Sequence, residues 1–340
     1  MFGCIRIRTR MSIETDSNDY LLKQLIQNFY KGNLNFCLMP EDIKNMNWDW
    51  QQAFLDATVN SNLIQEYPIS GKFASLFLKK IIQSLETNQE VHDDFYSQLC
   101  KNMNYLNKDG FSYRHYVIGN DTNNIITIKE TRNMVVNGTT GLKTWEAALM
   151  LSDWALCNKN LFSKKNVLEL GSGVGFTGIT IGKLCTIQSL MLTDCHNDVL
   201  KALCENIHVN FPHFRQENDK NITWFKAQEK SLGVMVLDWN AIEDLPDSLI
   251  PDILIGADIV YDPSILKPLS NVIQTFGARN KDLEVYIASV IRNEETFNGF
   301  LKTLGEINLD YENIELSRCV FIDWDESINK SLLKIKAKLK

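Results

Sequence analysis

The stretch Asn166-Val167-Leu168-Glu169-Leu170-Gly171-Ser172-Gly173-Val174-Gly175-Phe176-Thr177-Gly178 constrains this chain's fold more than any other segment. Its short apolar run reads as a buried parallel strand. The glycines that follow let the backbone turn tightly under a ligand before a helix begins near Gly178. The next apolar run, Leu190-Met191-Leu192-Thr193, ends on Asp194, which brings a carboxylate within reach of a ribose hydroxyl pair. Together these residues make a nucleotide cradle. Gly173, Gly175 and Gly178 also satisfy the dinucleotide spacing G-x-G-x-x-G, so the loop by itself fits NAD as well as S-adenosylmethionine.

Downstream of Gly141 the pattern alternates between strand and helix. Candidate strands are Val167–Leu170, Leu190–Thr193, Val234–Leu237, Ile253–Ala257 and Val285–Val290, with gaps long enough for right-handed helical crossovers. Asp310–Leu316 and Leu332–Leu339 read as an antiparallel pair that finishes the sheet. In the last of these, Leu333, Ile335, Ala337 and Leu339 alternate with Lys334, Lys336, Lys338 and Lys340, which predicts a half-buried strand with a solvated lysine face. The polar run from Phe214 to Ser231 reads as a surface loop.

Upstream, Leu21, Leu22, Leu25, Ile26 and Phe29 repeat at helical spacing, as do Phe73, Leu76, Phe77, Lys80, Ile81 and Leu85, with Pro68 and Ser70-Gly71 as breaks. Tyr113–Ile118 and Ile125–Ile128 flank turn chemistry and predict a hairpin. The expected organisation is a disordered extension over 1–11, a helical accessory domain over 12–110 and an α/β catalytic domain over 111–340.

At 340 residues the chain has room for both domains. A net charge of -7 argues against a direct nucleic-acid binder and is compatible with a basic protein partner. The eight cysteines form neither a C-x-x-C pair nor a zinc spacing, so reduced thiols and no metal are expected. No apolar run approaches the ~20 residues that span a bilayer. Arg6, Arg8 and Arg10 precede the first acid, as in a mitochondrial transit peptide, but the stretch is only ten residues long and Met11 opens an ordinary polar start, so a disordered extension or an unused upstream start is expected. A cytoplasmic location is expected.

Three further clusters bear on chemistry. Val236-Leu237-Asp238-Trp239 ends a strand at the carboxyl edge of the sheet, where Trp239 is placed to pack on adenine and Asp238 to accept its amino group, although an isolated Trp is usually core. Ile255-Gly256-Ala257-Asp258-Ile259-Val260-Tyr261 puts Asp258 and Tyr261 past the end of the next strand. A carboxylate and a phenol there suit an amine substrate and a sulfonium cofactor; the competing reading is a helix cap and a surface Tyr. Asp194-Cys195-His196 invites a metal or triad reading, but lacks partners at useful spacing, so His196 reads as local packing.

Gly138-Thr139-Thr140-Gly141-Leu142-Lys143-Thr144-Trp145, Thr193-Asp194-Cys195-His196, and the strand Glu284–Ala288 followed by Arg292-Asn293-x-Glu295-Thr296 join these clusters. In combination they resemble the seven-β-strand protein lysine methyltransferases, and among them the elongation factor 2 lysine methyltransferase family. The resemblance covers the catalytic half densely and the helical part loosely. It implies a class I Rossmann-like sheet of seven strands with an antiparallel final hairpin. It also implies S-adenosylmethionine as cofactor, elongation factor 2 as protein substrate and trimethyllysine as product; a monomer is expected. Carried onto this chain, it implies that Trp145, Gly171, Ser172, Gly173, Asp194, Trp239 and Ala257 line the cofactor, that Glu169 faces its methionine portion, and that Asp258 and Tyr261 form the substrate site.

Three other readings compete, the first being a methyltransferase that acts on another protein lysine or on a small-molecule amine. An NAD-dependent oxidoreductase uses the same glycines and Asp194 but leaves Trp239 and Ala257–Tyr261 without a task. A non-catalytic adaptor is expected to show a damaged cofactor loop or to lack Asp258.

Overall fold

A computed structural model describes residues 17–104, 110–119, 121–122, 124–227, 230–242, 245–316 and 318–337. The expected 1–11 extension, and Lys338, Leu339 and Lys340, lie outside the described residues. The chain divides into two compact units, one upstream of Lys108 and one from Lys108 onward.

The first unit is helical, with α1 (Ser17–Tyr30), α2 (Pro40–Asn45), α3 (Trp48–Ala57), α4 (Asn62–Glu66), α5 (Gly71–Leu85) and α6 (Asp93–Asn104). Phe29, Phe54, Phe77 and Phe95, from four different helices, are fully buried. Their rings meet edge-on at 5.3 Å (Phe29 and Phe77) or stacked at 6.0 Å (Phe54 and Phe95), geometries that aromatic quadrupoles favour. The α5 stripe differs from the expected one: Leu76 is exposed, and Ala74, Leu78 and Ile82 fill the buried face. Lys80 sits among these apolar residues because its amine reaches the Leu34 carbonyl at 2.8 Å while lying over the Phe36 ring.

The second unit opens with a separate hairpin of β1 (Phe111–Val117) and β2 (Ile125–Thr131). After α7 (Glu146–Cys157) come β3 (Asn166–Leu170), α8 (Phe176–Leu184), β4 (Ser189–Asp194) and α9 (Asn197–Asn210). The chain continues through β5 (Arg215–Asp219), β6 (Ile222–Ala227), β7 (Lys230–Val236) and β8 (Ile253–Ala257). It ends with α10 (Leu266–Arg279), β9 (Glu284–Val290), α11 (Glu294–Glu306), β10 (Leu309–Asn313) and β11 (Lys330–Ala337).

The sheet runs β10-β11-β9-β8-β3-β4-β7-β6-β5. The central pairs β9–β8, β8–β3, β3–β4 and β4–β7 are parallel, and β10–β11 and β11–β9 are antiparallel. Strand order reverses beside β3, where β8 lies on one side and β4 on the other. Open α/β sheets bind ligands at the carboxyl ends of the strands flanking such a reversal. Alternate strand residues feed two cores: Val167, Leu190, Ile253 and Leu332 pack with α7, α8 and α9, and Leu168, Leu254, Val285 and Leu333 pack with α10 and α11.

Two expectations are corrected. The Phe214–Ser231 run is not a loop but chiefly the hairpin β5–β6, which pairs antiparallel onto β7 and extends the expected seven strands to nine. All five residues of β5 are exposed, so no apolar alternation marks it in the sequence. The first helix after the cradle begins at Phe176, two residues ahead of Gly178. The last strand is covered on both faces at Leu332 and Leu333, and Lys334 is not solvated: it pairs with Glu284 at 2.6 Å, while Lys336 is exposed.

The segment between β10 and β11 is pinned to α7 by one buried carboxylate. Asp153 accepts the backbone N–H groups of Val320 (3.2 Å), Phe321 (2.7 Å) and Ile322 (3.1 Å) and the indole N–H of Trp324 (3.3 Å). Asp153→Ala strands those donors, at an expected cost of about 3 kcal/mol or more. A urea midpoint equal to that of the unsubstituted protein would show that the anchor contributes nothing.

Candidate active site

The loops at the carboxyl ends of β3, β4, β7 and β8 converge with the 138–145 segment on a cavity of about 360 Å³. Every residue assigned to the cofactor or substrate site from the sequence lines it: Trp145, Glu169, Gly171, Ser172, Gly173, Asp194, Asp238, Trp239, Ala257, Asp258 and Tyr261. They come from segments more than a hundred positions apart, and the strand reversal is what gathers them.

The cradle loop is stitched to the end of β4. The Ser172 backbone N–H donates to the Thr193 carbonyl at 2.8 Å, and the Ser172 hydroxyl accepts from the Thr193 N–H at 3.0 Å. The Thr193 hydroxyl in turn donates to the Glu169 carbonyl at 2.7 Å. The Ser172 hydroxyl is thus engaged by backbone, and its residue presents mainly main chain to the cavity. Gly173 has φ +54°, and a Cβ there would lie 3.0 Å from the Gly141 carbonyl oxygen, so only glycine passes at this point.

Asp194 accepts from the Gly173 N–H at 3.2 Å and the His196 N–H at 3.1 Å. Burial raises its pKa, and these backbone donors act in the opposite direction. His196 is local structure, as expected: its Nδ1 accepts from the Asp198 N–H, capping α9, while Nε2 meets the Asn137 carbonyl at 3.2 Å.

Glu169 points to the face where Val167 packs with α7–α9, and it is 2 % exposed. Its carboxyl accepts from the Gly178 N–H at 3.1 Å, an approach that needs the missing side chain at Gly178. Burial pushes its pKa up to about 8, against the pull of its hydrogen bonds.

Trp145 is placed from two sides. Its indole N–H donates to the Thr140 carbonyl at 3.0 Å, and its neighbour Thr144 donates a backbone N–H to the buried Glu130 of β2 at 2.9 Å. Trp239 stands half-buried by Gly171, where a Cβ would come within 3.5 Å of the indole. Asp238 is exposed, and its Oδ1 is taken by the Asn240 backbone at 2.8 Å.

Asp258 differs most from what its sequence position suggests. The sequence reading left its carboxylate open to a cationic ligand. In the structure its side chain is 6 % exposed and is closed by Arg292, whose Nη1 donates to Oδ1 at 3.2 Å and Nη2 to Oδ2 at 3.0 Å. The Val290 backbone N–H adds a third bond to Oδ1, and Asp258 takes the left-handed conformation, φ +55°. Tyr261 stands at the rim, 55 % exposed.

Arg292 is a charged cavity residue to which the sequence analysis gave no role. Its place just past the carboxyl end of β9, the edge shared with Asp258 and Trp239, was the available signal. Lys143 and Met134 also line the cavity.

The donors and acceptors suit a nucleoside carrying a sulfonium: a carboxylate at the end of β4, an aromatic after β7, and glycine backbone beneath. Within the nine-strand sheet, the seven strands from β10 to β7, with β11 antiparallel to both its neighbours and the cradle at the reversal, define a class I methyltransferase fold. A lysine methyltransferase family model matches residues 120–306. The chain is 30% identical to the protein-lysine N-methyltransferase EEF2KMT of Homo sapiens, over 83% of this chain and 84% of that protein. It is 31% identical to EEF2KMT of Mus musculus over 77% of each. It is 27% identical to the protein-lysine N-methyltransferase EFM3 of Saccharomyces cerevisiae, over 70% of this chain and 69% of that one. The chain therefore belongs to the lysine methyltransferase family, and acts as an S-adenosylmethionine-dependent protein-lysine methyltransferase.

The buried Glu169 has a consequence for stability. Its proton stays bound up to about pH 8 in the folded chain but leaves near the ordinary 4.5 when unfolded. Between those values the folded state holds the extra proton, so stability falls as pH rises, by up to about 1.4 kcal/mol per pH unit. Glu169→Gln removes this term. The stability difference between variant and parent, measured by urea denaturation without cofactor, is expected to move in the variant's favour from pH 5 to pH 8; a difference independent of pH would contradict the assignment.

Proposed function

We propose that this enzyme methylates a lysine of elongation factor 2, up to trimethyllysine, as a monomer in the cytoplasm. The reading rests on the motif resemblance and on the relatives named EEF2KMT. The observation that carries the chemistry is that Asp258 and Tyr261 line the same cavity as the glycine cradle. Among the described residues no helix is long and apolar enough to cross a membrane.

When bound, S-adenosylmethionine supplies an electrophilic methyl group: the lysine lone pair forms the N–CH₃ bond while the S–CH₃ electron pair stays on sulfur. In this reading Asp194 holds the ribose hydroxyls, Trp239 and Asp238 the adenine, the Gly171–Gly173 backbone and Glu169 the methionine portion, and Trp145 and Ala257 the remaining wall. The chain's other task is to deliver a neutral amine. A free lysine has a pKa of about 10.4, so only ~0.04% is unprotonated at pH 7. The apolar walls desolvate the entering side chain and lower that value, and Tyr261 and Asp258 align the nitrogen.

Two substitutions separate the roles. Asp194→Ala is expected to weaken S-adenosylhomocysteine binding by removing an acceptor worth about 1.5–3 kcal/mol. Asp258→Ala is expected to leave that binding largely intact and abolish transfer to elongation factor 2, followed by isotope-labelled cofactor and mass spectrometry. Equal behaviour of the two variants in both assays would remove the distinction. Absence of label on elongation factor 2 with the parent enzyme, alongside label on another protein of an extract, would redirect the substrate assignment.

The helical unit gives the enzyme surface to grip a folded substrate. A standard protein interface buries about 1,600 Å² in total, more than the rim of one cavity offers. A fragment beginning near Phe111, shown to be folded by circular dichroism, is expected to bind cofactor and methylate intact elongation factor 2 poorly. Full activity of that fragment would leave the helical unit without a recognition role.

A further inference from the structure

The closed state of Asp258 bears on how the amine is held. A lone carboxylate within ~4–6 Å of a lysine stabilises the ammonium and raises its pKa by about 1–3 units. An ammonium has no lone pair to give. An unpaired Asp258 would therefore work against the transfer that its position serves. In the structure it is not unpaired: the Arg292 guanidinium covers both oxygens at 3.2 and 3.0 Å, and the Val290 N–H fixes the same carboxylate from the backbone side. The guanidinium also lies over the Trp145 ring, 5.1 Å from its centroid, so that the ion pair forms part of the cavity wall.

We propose that Arg292 is a positioning residue for methyl transfer: it orients the Asp258 carboxylate and offsets its charge, so that the target lysine settles beside a neutral pair as the free amine. The inference rests on the reading above, in which the lysine enters at Asp258 and Tyr261. A carboxylate offers about four acceptor positions. Three are filled by Val290 and Arg292, which leaves one on Oδ2 for an amine N–H. The planar fork of arginine suits this two-pronged contact, and a lysine at 292 would carry the charge without the fork.

The other ionisable groups around the cavity are Lys143, Glu169, Asp194, Cys195, Asp238 and Tyr261. Lys143 lies over the same Trp145 ring at 5.4 Å and is the second cation on this wall. Glu169, Asp194, Cys195 and Asp238 belong to the loops and strand ends of the cradle side, and Tyr261 belongs to the rim.

The test is the pH dependence of kcat at saturating protein substrate and cofactor, whose limb reports the groups that ionise in the bound complex. Arg292→Met and Arg292→Gln both remove the charge, the second keeping hydrogen-bond donors, and Arg292→Lys keeps it. The expected result is an acid limb moved upward by about one pH unit in the Met and Gln variants and held at the parent position in the Lys variant. Calorimetric binding of S-adenosylhomocysteine, expected within about twofold of the parent, shows for each variant that the cradle is formed. A limb that stays at the parent position in Met and Gln variants that bind S-adenosylhomocysteine would overturn the proposal, whatever their kcat. Asp258→Ala is run beside them: if it retains full activity, the catalytic reading fails, whereas an inactive Asp258→Ala with an unmoved limb in the 292 variants defeats only the role given to Arg292.

Discussion

The bonds that tie the loop after β3 to the end of β4 hold the site together. Ser172, Thr193, Gly173 and Asp194 exchange backbone and side-chain hydrogen bonds across the two strand ends. In a nearly dry setting such bonds are costly to leave unmade, which keeps the loop in one conformation before any ligand arrives. The hairpin β1–β2 is drawn into the same framework through α9. Asn206 and Asn210 use their side-chain amides as a strand would use its backbone, pairing with Lys129 and Thr127 of β2. Asn206 reaches the Val174 carbonyl at 2.9 Å as well, so one amide joins the hairpin to the cradle.

Charge is handled differently on the two sides of the cavity. On the cradle side, Glu169 and Asp194 are held by backbone N–H groups, and burial raises the pKa of each. On the side proposed for the substrate, Asp258 has a guanidinium partner. Backbone donors orient a carboxyl group without adding a formal positive charge, so neither Glu169 nor Asp194 brings a cationic side chain against a sulfonium. A guanidinium orients and neutralises together. Under the proposed function, the two solutions match a cofactor that stays cationic and an amine that has to be uncharged to react.

Much of the site was legible because its elements are local. A buried strand, a glycine turn and an acid at the next strand end occupy contiguous residues, and their chemistry does not depend on distant partners. The same holds for Trp239 and for Asp258 with Tyr261, each read from the end of its own strand. The hairpin β5–β6 was not legible: it is exposed, and what makes it strand is the free edge of β7 to which it pairs. Lys334 was misread because its alternation with apolar residues signals a wet face, whereas Glu284 of the neighbouring strand supplies the countercharge.

By itself, then, the sequence determined the alternating strands and helices, the cradle and the identity of the acids around it, since periodicity, glycine and side-chain type act over a few residues. Only the tertiary structure decided what those acids touch. Asp258 meets a guanidinium 34 positions away, and Asp153 binds a loop 169 positions away, because parallel pairing of β8 with β9 and packing of α7 bring those segments into register. The partner of a charge depends on the three-dimensional path of the chain, and that path is set by long-range sheet pairing that no local pattern records.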